Sequence, residues 1–261
     1  MVNIKGTVDS DFLTGTAISD IISGLAGSDT LEGKEGNDFL NGGSGNDNLK
    51  GNSGNDFLFG SFGDDNLEGN SGNDFLFGSV GNDSLFGGEE DDFLRGGNGN
   101  DSLEGNSGND FLVGGNGNDT INGVGDLFVN SGNIGAGTID TLAGGAGSDR
   151  FILNTAIVGI AGIDTFALYN GQGESDFALI TDFNPTFDSI ELAGQVEQYS
   201  LEFLSSGQLS DANLIYQPSA STEGDLIAIL QDVPSSLDLN DASAFTYVPG
   251  FSIFDLNSLE N

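Results

Sequence analysis

No cysteine, histidine or tryptophan occurs among the 261 residues, and only five Lys or Arg stand against 41 Asp or Glu. The missing His and Cys exclude a Ser-His-Asp triad, a Cys nucleophile and a His/Cys zinc site, leaving carboxylates to carry any catalysis. Zero Cys also excludes a disulfide framework, so an extracellular life needs another staple. Five scattered cations make no phosphate-binding surface, and no nucleic acid partner is expected. No run approaches 18 apolar residues, so no membrane span is expected. The opening Met1-Val-Asn-Ile-Lys-Gly lacks the long apolar core of a secretory signal, and no cleaved leader is expected.

What the chain holds instead is acid and glycine: 43 Gly and a formal charge of −36, with 36% apolar residues. That apolar share allows a core, but self-repulsion opposes compaction until something offsets the charge. Residues 1–150 carry 25 acidic and all five basic side chains, net −20, and residues 151–261 carry 16 acidic and no basic ones.

Glycine recurs every nine residues from Gly6 to Gly114, giving 13 consecutive nonapeptides over 6–122. With that Gly as position 1, position 6 is always Asp: Asp11, Asp20, Asp29, Asp38, Asp47, Asp56, Asp65, Asp74, Asp83, Asp92, Asp101, Asp110 and Asp119. Position 8 is always Leu or Ile, and position 4 is Gly except at Asp9, Ile18 and Glu90. A twelve-residue interruption (Gly123–Ile134) precedes two further units, 135–143 with Asp140 and 144–152 with Asp149.

A Gly-rich hexapeptide turns through conformations that side chains oppose, and the next three residues read as a very short half-buried strand. Two repeats then make one 18-residue turn of a solenoid with two parallel sheets sharing a Leu/Ile layer. Position 7 supports that period: Phe39, Phe57, Phe75, Phe93 and Phe111 alternate with Thr or with Asn and Ser. One sheet is therefore expected to be polar outside and the other to bear an aromatic ladder, widened by Phe59, Phe77 and Val113. The ladder has three readings: a face covered by the C-terminal region or by a second molecule, an adhesive surface, or cross-strand pairs that stabilise the sheet.

Motifs such as Gly42-Gly-Ser-Gly-Asn-Asp-Asn-Leu-Lys and Gly96-Gly-Asn-Gly-Asn-Asp-Ser-Leu-Glu resemble the RTX (hemolysin-type) calcium-binding repeat. The resemblance implies an all-β fold, a right-handed parallel β-roll with Ca2+ between loops one full turn apart. It implies ligation by two position-6 carboxylates, the carbonyls of positions 2 and 4 of one loop, and those of positions 1 and 3 of the next. One ion would lie between Gly43, Gly45 and Asp47 on one side and Gly60, Phe62 and Asp65 on the other. Hard oxygens of this kind suit calcium. Stacking gives a ceiling of 11 ions over 6–122, and seven gaps keep the full pattern. Asp and Asn as ordinary turn formers explain loops but not an invariant Asp.

Residues 153–261 lose the beat and read as strands between Gly, Pro and Ser turns, a mostly antiparallel cap following a roll at 1–152. Ile180-Thr-Asp-Phe-Asn-Pro-Thr-Phe-Asp-Ser-Ile-Glu-Leu192 resembles the segment after the roll in serralysin-type proteins, which is associated with type I secretion. Asp182 and Asp188 are read there as another calcium site or a surface turn. Phe251-Ser-Ile-Phe-Asp-Leu-Asn-Ser-Leu-Glu-Asn reads as an uncleaved secretion signal or a final strand.

The leading expectation is a secreted, non-enzymatic protein that folds on extracellular calcium. Alternatives are the exported accessory portion of a hydrolase or polysaccharide-modifying enzyme, or an adhesive or matrix protein. With the beat starting at Gly6, no upstream catalytic domain is expected. Ice binding is disfavoured because no Thr occupies position 3 in any of the 13 repeats.

Overall fold

The computed structural model describes residues 1–123, 139–153, 177–193, 199–204, 209–216 and 225–248. The interruption after Gly123 and the C-terminal segment 251–261 lie essentially or wholly outside the described residues. The described elements are all strands: β1 (Asn3–Lys5), β2 (Phe12–Thr14), β3 (Ile21–Ala26), β4 (Thr30–Glu35), β5 (Phe39–Ser44), β6 (Asn48–Ser53), β7 (Phe57–Phe62), β8 (Asn66–Ser71), β9 (Phe75–Val80), β10 (Ser84–Glu89) and β11 (Phe93–Asn98). They continue as β12 (Ser102–Ser107), β13 (Phe111–Asn116), β14 (Thr120–Asn122), β15 (Ile139–Ala146), β16 (Arg150–Ile152), β17 (Phe177–Ile180), β18 (Ser189–Ala193), β19 (Tyr199–Phe203), β20 (Leu209–Tyr216), β21 (Asp225–Pro234) and β22 (Phe245–Val248). No helix among them could cross a membrane.

Through β18, odd and even strands separate into two sheets, as the 18-residue period requires. One runs β1-β3-β5-β7-β9-β11-β13-β15-β17-β21-β20-β19 and the other β2-β4-β6-β8-β10-β12-β14-β16-β18-β22. Each repeat pairs in parallel with its equivalent one turn on, for example Phe57↔Phe75, Leu58↔Leu76 and Phe59↔Phe77. Position 8 points inward from both sheets, and Leu31 through Leu112 at this position have no exposed surface. Burying each Leu contributes about 1.5–3 kcal/mol, so this single file is the main apolar stabilisation of the roll.

The strands are longer than the three residues read from the sequence. Most run six residues, through positions 7–9 and on through positions 1–3 of the next repeat, leaving positions 4–6 as the turn. The reason is register: Gly43 lies beside Ser61 and Ser44 beside Phe62, so loop amides meet partners one turn away.

The sheets also cross the change in sequence at 152/153. After the interruption, β13 pairs with β15 and β14 with β16, both in parallel. Parallel pairing then continues through β17 to β21 and through β18 to β22. The expected antiparallel cap is represented among the described residues by β19–β20 and β20–β21.

Candidate metal centre

Each position-6 Asp closes its turn just before a strand, and the solenoid places it directly over its equivalent 18 residues away. Two files of carboxylates result. One runs Asp11, Asp29, Asp47, Asp65, Asp83, Asp101, Asp119, Asp149, each Asp N–H donating to Oδ1 of the next at 2.7–2.9 Å. The other runs Asp20, Asp38, Asp56, Asp74, Asp92, Asp110, Asp140 by the same bond at 2.7–2.9 Å. Apart from Asp11, which is half-buried, all of these Asp are at most 4% exposed.

Asp29, Asp38, Asp47, Asp56, Asp65, Asp74, Asp83, Asp92, Asp101, Asp110, Asp119 and Asp149 share an anomaly: Oδ2 is buried with no hydrogen-bond partner. A buried carboxylate oxygen left in this way is costly, so a row of them points to a cation. The space before each is kept by the inward-facing position-1 glycine. A Cβ on Gly24 would strike Asp29 Oδ2 and lie 2.6 Å from the Gly42 carbonyl oxygen of the next turn. Gly69, between Asp74 Oδ2 and the Gly87 carbonyl, and Gly114, between Asp119 Oδ2 and the Gly144 carbonyl, repeat that cradle.

The backbones of successive loops meet at the same gaps. In the gap between loops 42–47 and 60–65, the Gly45 carbonyl lies against the Cα of Gly63. The Phe62 carbonyl accepts the Gly45 N–H at 2.8 Å, and Asp65 Oδ1 accepts the Asp47 N–H at 2.8 Å. Gly45 has φ +122°, a left-handed value that a side chain resists, and its Cβ would collide with the Gly27 carbonyl below. Thus Gly45 touches Phe62 and Asp47 touches Asp65 across the gap, and Gly43 and Gly60 lie in the paired strands beside it, while the Phe62 ring itself points to solvent. No group of three or more acidic side chains converges among the described residues. Backbone oxygens must therefore complete any coordination shell, and the donor set is hard throughout, as calcium requires.

Burial pushes these carboxyls up, neighbouring carboxylates push them further, and the amide bond from the preceding Asp opposes both. The result is about 6 at Asp47, Asp56 and Asp83, about 7 at Asp65, Asp74 and Asp119, about 8 at Asp110 and about 9 at Asp92. Glu90, which replaces the position-4 glycine, is among the charges acting on Asp92. Where no cation neutralises the file, protons bind in its place.

The ends differ from the middle. Asp11 Oδ2 accepts the Thr7 N–H at 2.6 Å and the Thr7 hydroxyl at 3.0 Å. Asp20 Oδ2 accepts the Thr16 N–H and hydroxyl, both at 2.7 Å. These are the loops with Asp9 and Ile18 at position 4, and protein donors seal them.

The sequence favours a surface turn for Asp188 over a calcium ligand; the structure puts it at the end of the first file. It is 5% exposed, with Oδ1 accepting the Asp149 N–H at 3.0 Å and Oδ2 the Asn184 N–H at 2.8 Å. Asp188-Ser-Ile190 preserves the Asp-x-Ile of the repeat without its glycines, and that tripeptide was the available signal. Asp182 instead accepts the Gly144 and Gly145 amides at 2.9 and 2.8 Å.

The family model for the RTX calcium-binding nonapeptide repeat matches residues 5–125, in overlapping copies, and 134–154. No curated protein matches the sequence. Among solved structures, the chain is similar to the AlgE6R3 subunit from the Azotobacter vinelandii mannuronan C5-epimerase, at 20% identity and TM-score 0.29, over 67% of this chain and 80% of that one. It is also similar to the extracellular lipase LipA from Serratia marcescens, at 14% identity and TM-score 0.20, over 94% of this chain and 40% of that one. With more than half its length matched by the family model, and with the nine-residue beat and the stacked aspartates in place, the chain belongs to the RTX calcium-binding nonapeptide repeat family.

Proposed function

We propose that this chain is a secreted, non-enzymatic calcium-binding protein whose roll folds when several Ca2+ ions enter the gaps between successive loops. The row of buried, unpartnered Asp Oδ2 atoms, each set against the position-1 glycine of its own loop and six of them shown beside a carbonyl of the next turn, carries the reading. The ligands of one site are Asp47, Asp65 and the carbonyls of Gly43, Gly45, Gly60 and Phe62. The Thr7 and Thr16 seals remove the first two gaps from the ceiling of 11 and leave nine over 6–122. The files add gaps at Asp110–Asp140 and Asp119–Asp149.

Ion binding supplies the folding free energy that a disulfide-free, highly acidic chain lacks. An affinity of about 10⁻⁴–10⁻³ M, in the range of extracellular modules, leaves the chain unfolded and exportable at cytosolic calcium and folds it outside. Type I export through the C-terminal residues belongs to the same reading, since RTX repeat proteins are in general extracellular. Circular dichroism during a calcium titration at pH 8, with equilibrium dialysis to count ions, tests it. A full β spectrum in excess chelator at that pH would overturn it.

A further inference from the structure

The outward rows of the odd sheet carry no acid from β3 to β15, in a chain of charge −36. The even sheet does carry acid there, its position-9 row reading Glu32, Lys50, Glu68, Phe86 and Glu104. On the odd sheet Phe57 and Phe75 stack at 4.8 Å with an interplanar angle of 2°, as do Phe59 and Phe77 at 4.8 Å and 6°. Their faces cover one another, so ring edges form the outer surface. Phe57 and Phe75 are still 42% and 39% exposed, and Phe62 is 62% exposed.

The order of residues along these rows is self-complementary. We propose that two copies of this chain pair through the odd sheet, about a two-fold axis parallel to the strands and midway between β7 and β9. That operation reverses strand order and preserves position along the strand. At position 7 it sets Phe57 against the partner's Phe75 and Phe39 against the partner's Phe93. At position 9 the row reads Asn41, Phe59, Phe77, Arg95. Phe59 meets the partner's Phe77, and Asn41 meets the partner's Arg95, where a guanidinium donates to an amide oxygen. The exposed position-3 row reads Ser44, Phe62, Val80, Asn98 and repeats the arrangement, an apolar pair flanked by polar ones. Polar side chains meet polar ones and rings meet apolar groups throughout the four central strands.

Charge selects the occupant. A cationic partner finds its ligands on the acidic faces, whereas this face is where two copies of so acidic a chain approach without opposing carboxylates. At about 200 Å² per ring, the exposed Phe and Val surface amounts to roughly 500 Å² per copy. The buried total of roughly 1,000 Å² lies at the low end for specific contacts and makes the pairing a weak one. The dimer requires the folded roll and so rests on the calcium reading only for the means of folding it.

Sedimentation velocity of the full chain over a concentration series tests the pairing, with circular dichroism confirming the β spectrum in calcium or, should calcium fail to fold the chain, in acid. A folded monomer therefore counts against the dimer, and an unfolded calcium sample counts against the calcium reading. Arg95→Asp, on an exposed side chain away from the core, should weaken the dimer at least tenfold. Adding Asn41→Arg to it should restore the affinity to within about threefold, because the polar pair is re-formed with its ends exchanged. A chain monomeric at several hundred micromolar overturns the proposal, whether its own C-terminal region, another protein or nothing covers the face. A dimer indifferent to Arg95→Asp, or one that the second substitution fails to rescue, overturns it as well.

Discussion

Replacing Asp65 with Asn should change stability in opposite directions with and without calcium. Asp65 lies mid-file, its Oδ1 accepting the Asp47 N–H at 2.8 Å and its own N–H donating to Asp83 Oδ1 at 2.9 Å. Asn keeps an oxygen for the first bond but sets an NH₂ donor where the free Oδ2 stood, removing an anionic ligand from the gaps on both sides. At calcium 10 to 100 times the dissociation constant, each bound ion stabilises by about 1.4–2.7 kcal/mol, so losing two costs about 3–5 kcal/mol. Asp11→Asn should cost no ion, because Asp11 Oδ2 is already held by Thr7. In chelator the sign reverses. Burial raises the Asp65 carboxyl to about 7 in the folded roll, so at pH 8 its ionised form opposes folding, and the neutral amide removes that opposition. Urea unfolding followed by circular dichroism in calcium, acid titration of the chelated protein, and equilibrium dialysis give the three readouts. Equal ion losses at Asp11 and Asp65 would refute the shared-ligand file, and destabilisation of equal size in calcium and chelator would refute the electrostatic argument.

The metal-free wild type should hold most β structure at pH 4 and below and lose it as pH climbs towards 9. The folded carboxyls, raised from 3.8 to between about 6 and about 9, bind protons that the unfolded chain releases earlier, and dichroism in chelator reads the loss. Thr16→Val removes the hydroxyl bond to Asp20 and should cost about 1 kcal/mol, seen as faster amide exchange in residues 1–30 with an unchanged ion count. Leu67→Ala, at a fully buried position, should cost about 2–5 kcal/mol in calcium, while Phe75→Ser, on the outer row, should leave folding largely intact and weaken association; thermal melts and sedimentation separate the two.

The sequence made the roll legible wherever one residue type had one duty. Position 8 is apolar because it alone fills the space between the sheets, and position 6 is Asp because each carboxylate receives an amide from the turn below. The Phe alternation by itself exposes the two-sheet parity. Strand length was hidden because glycine and serine carry no strand signal, although their backbones pair as well as any. Asp188 was hidden for a related reason. Its loop reaches the same place by the Asn184-Pro-Thr-Phe turn, so the position survives while the glycines that mark it elsewhere are gone. The parallel continuation through β17, β18, β21 and β22 was obscured by long connections that break the count without breaking the register.

The odd–even partition limits how such a chain can change its length. Removing or duplicating 18 residues shortens or lengthens the stack by one turn and leaves every strand in its sheet. Removing nine would transfer every later strand to the opposite sheet, splitting the phenylalanine row across two faces and bringing Asn or Ser beside Phe. The interruption after Gly123 shows that extra residues between complete repeats are harmless, since Asp110 still meets Asp140 and Asp119 still meets Asp149, each 30 residues on. Copy number in this architecture is therefore free to drift in pairs, while single repeats are gained or lost only at the ends.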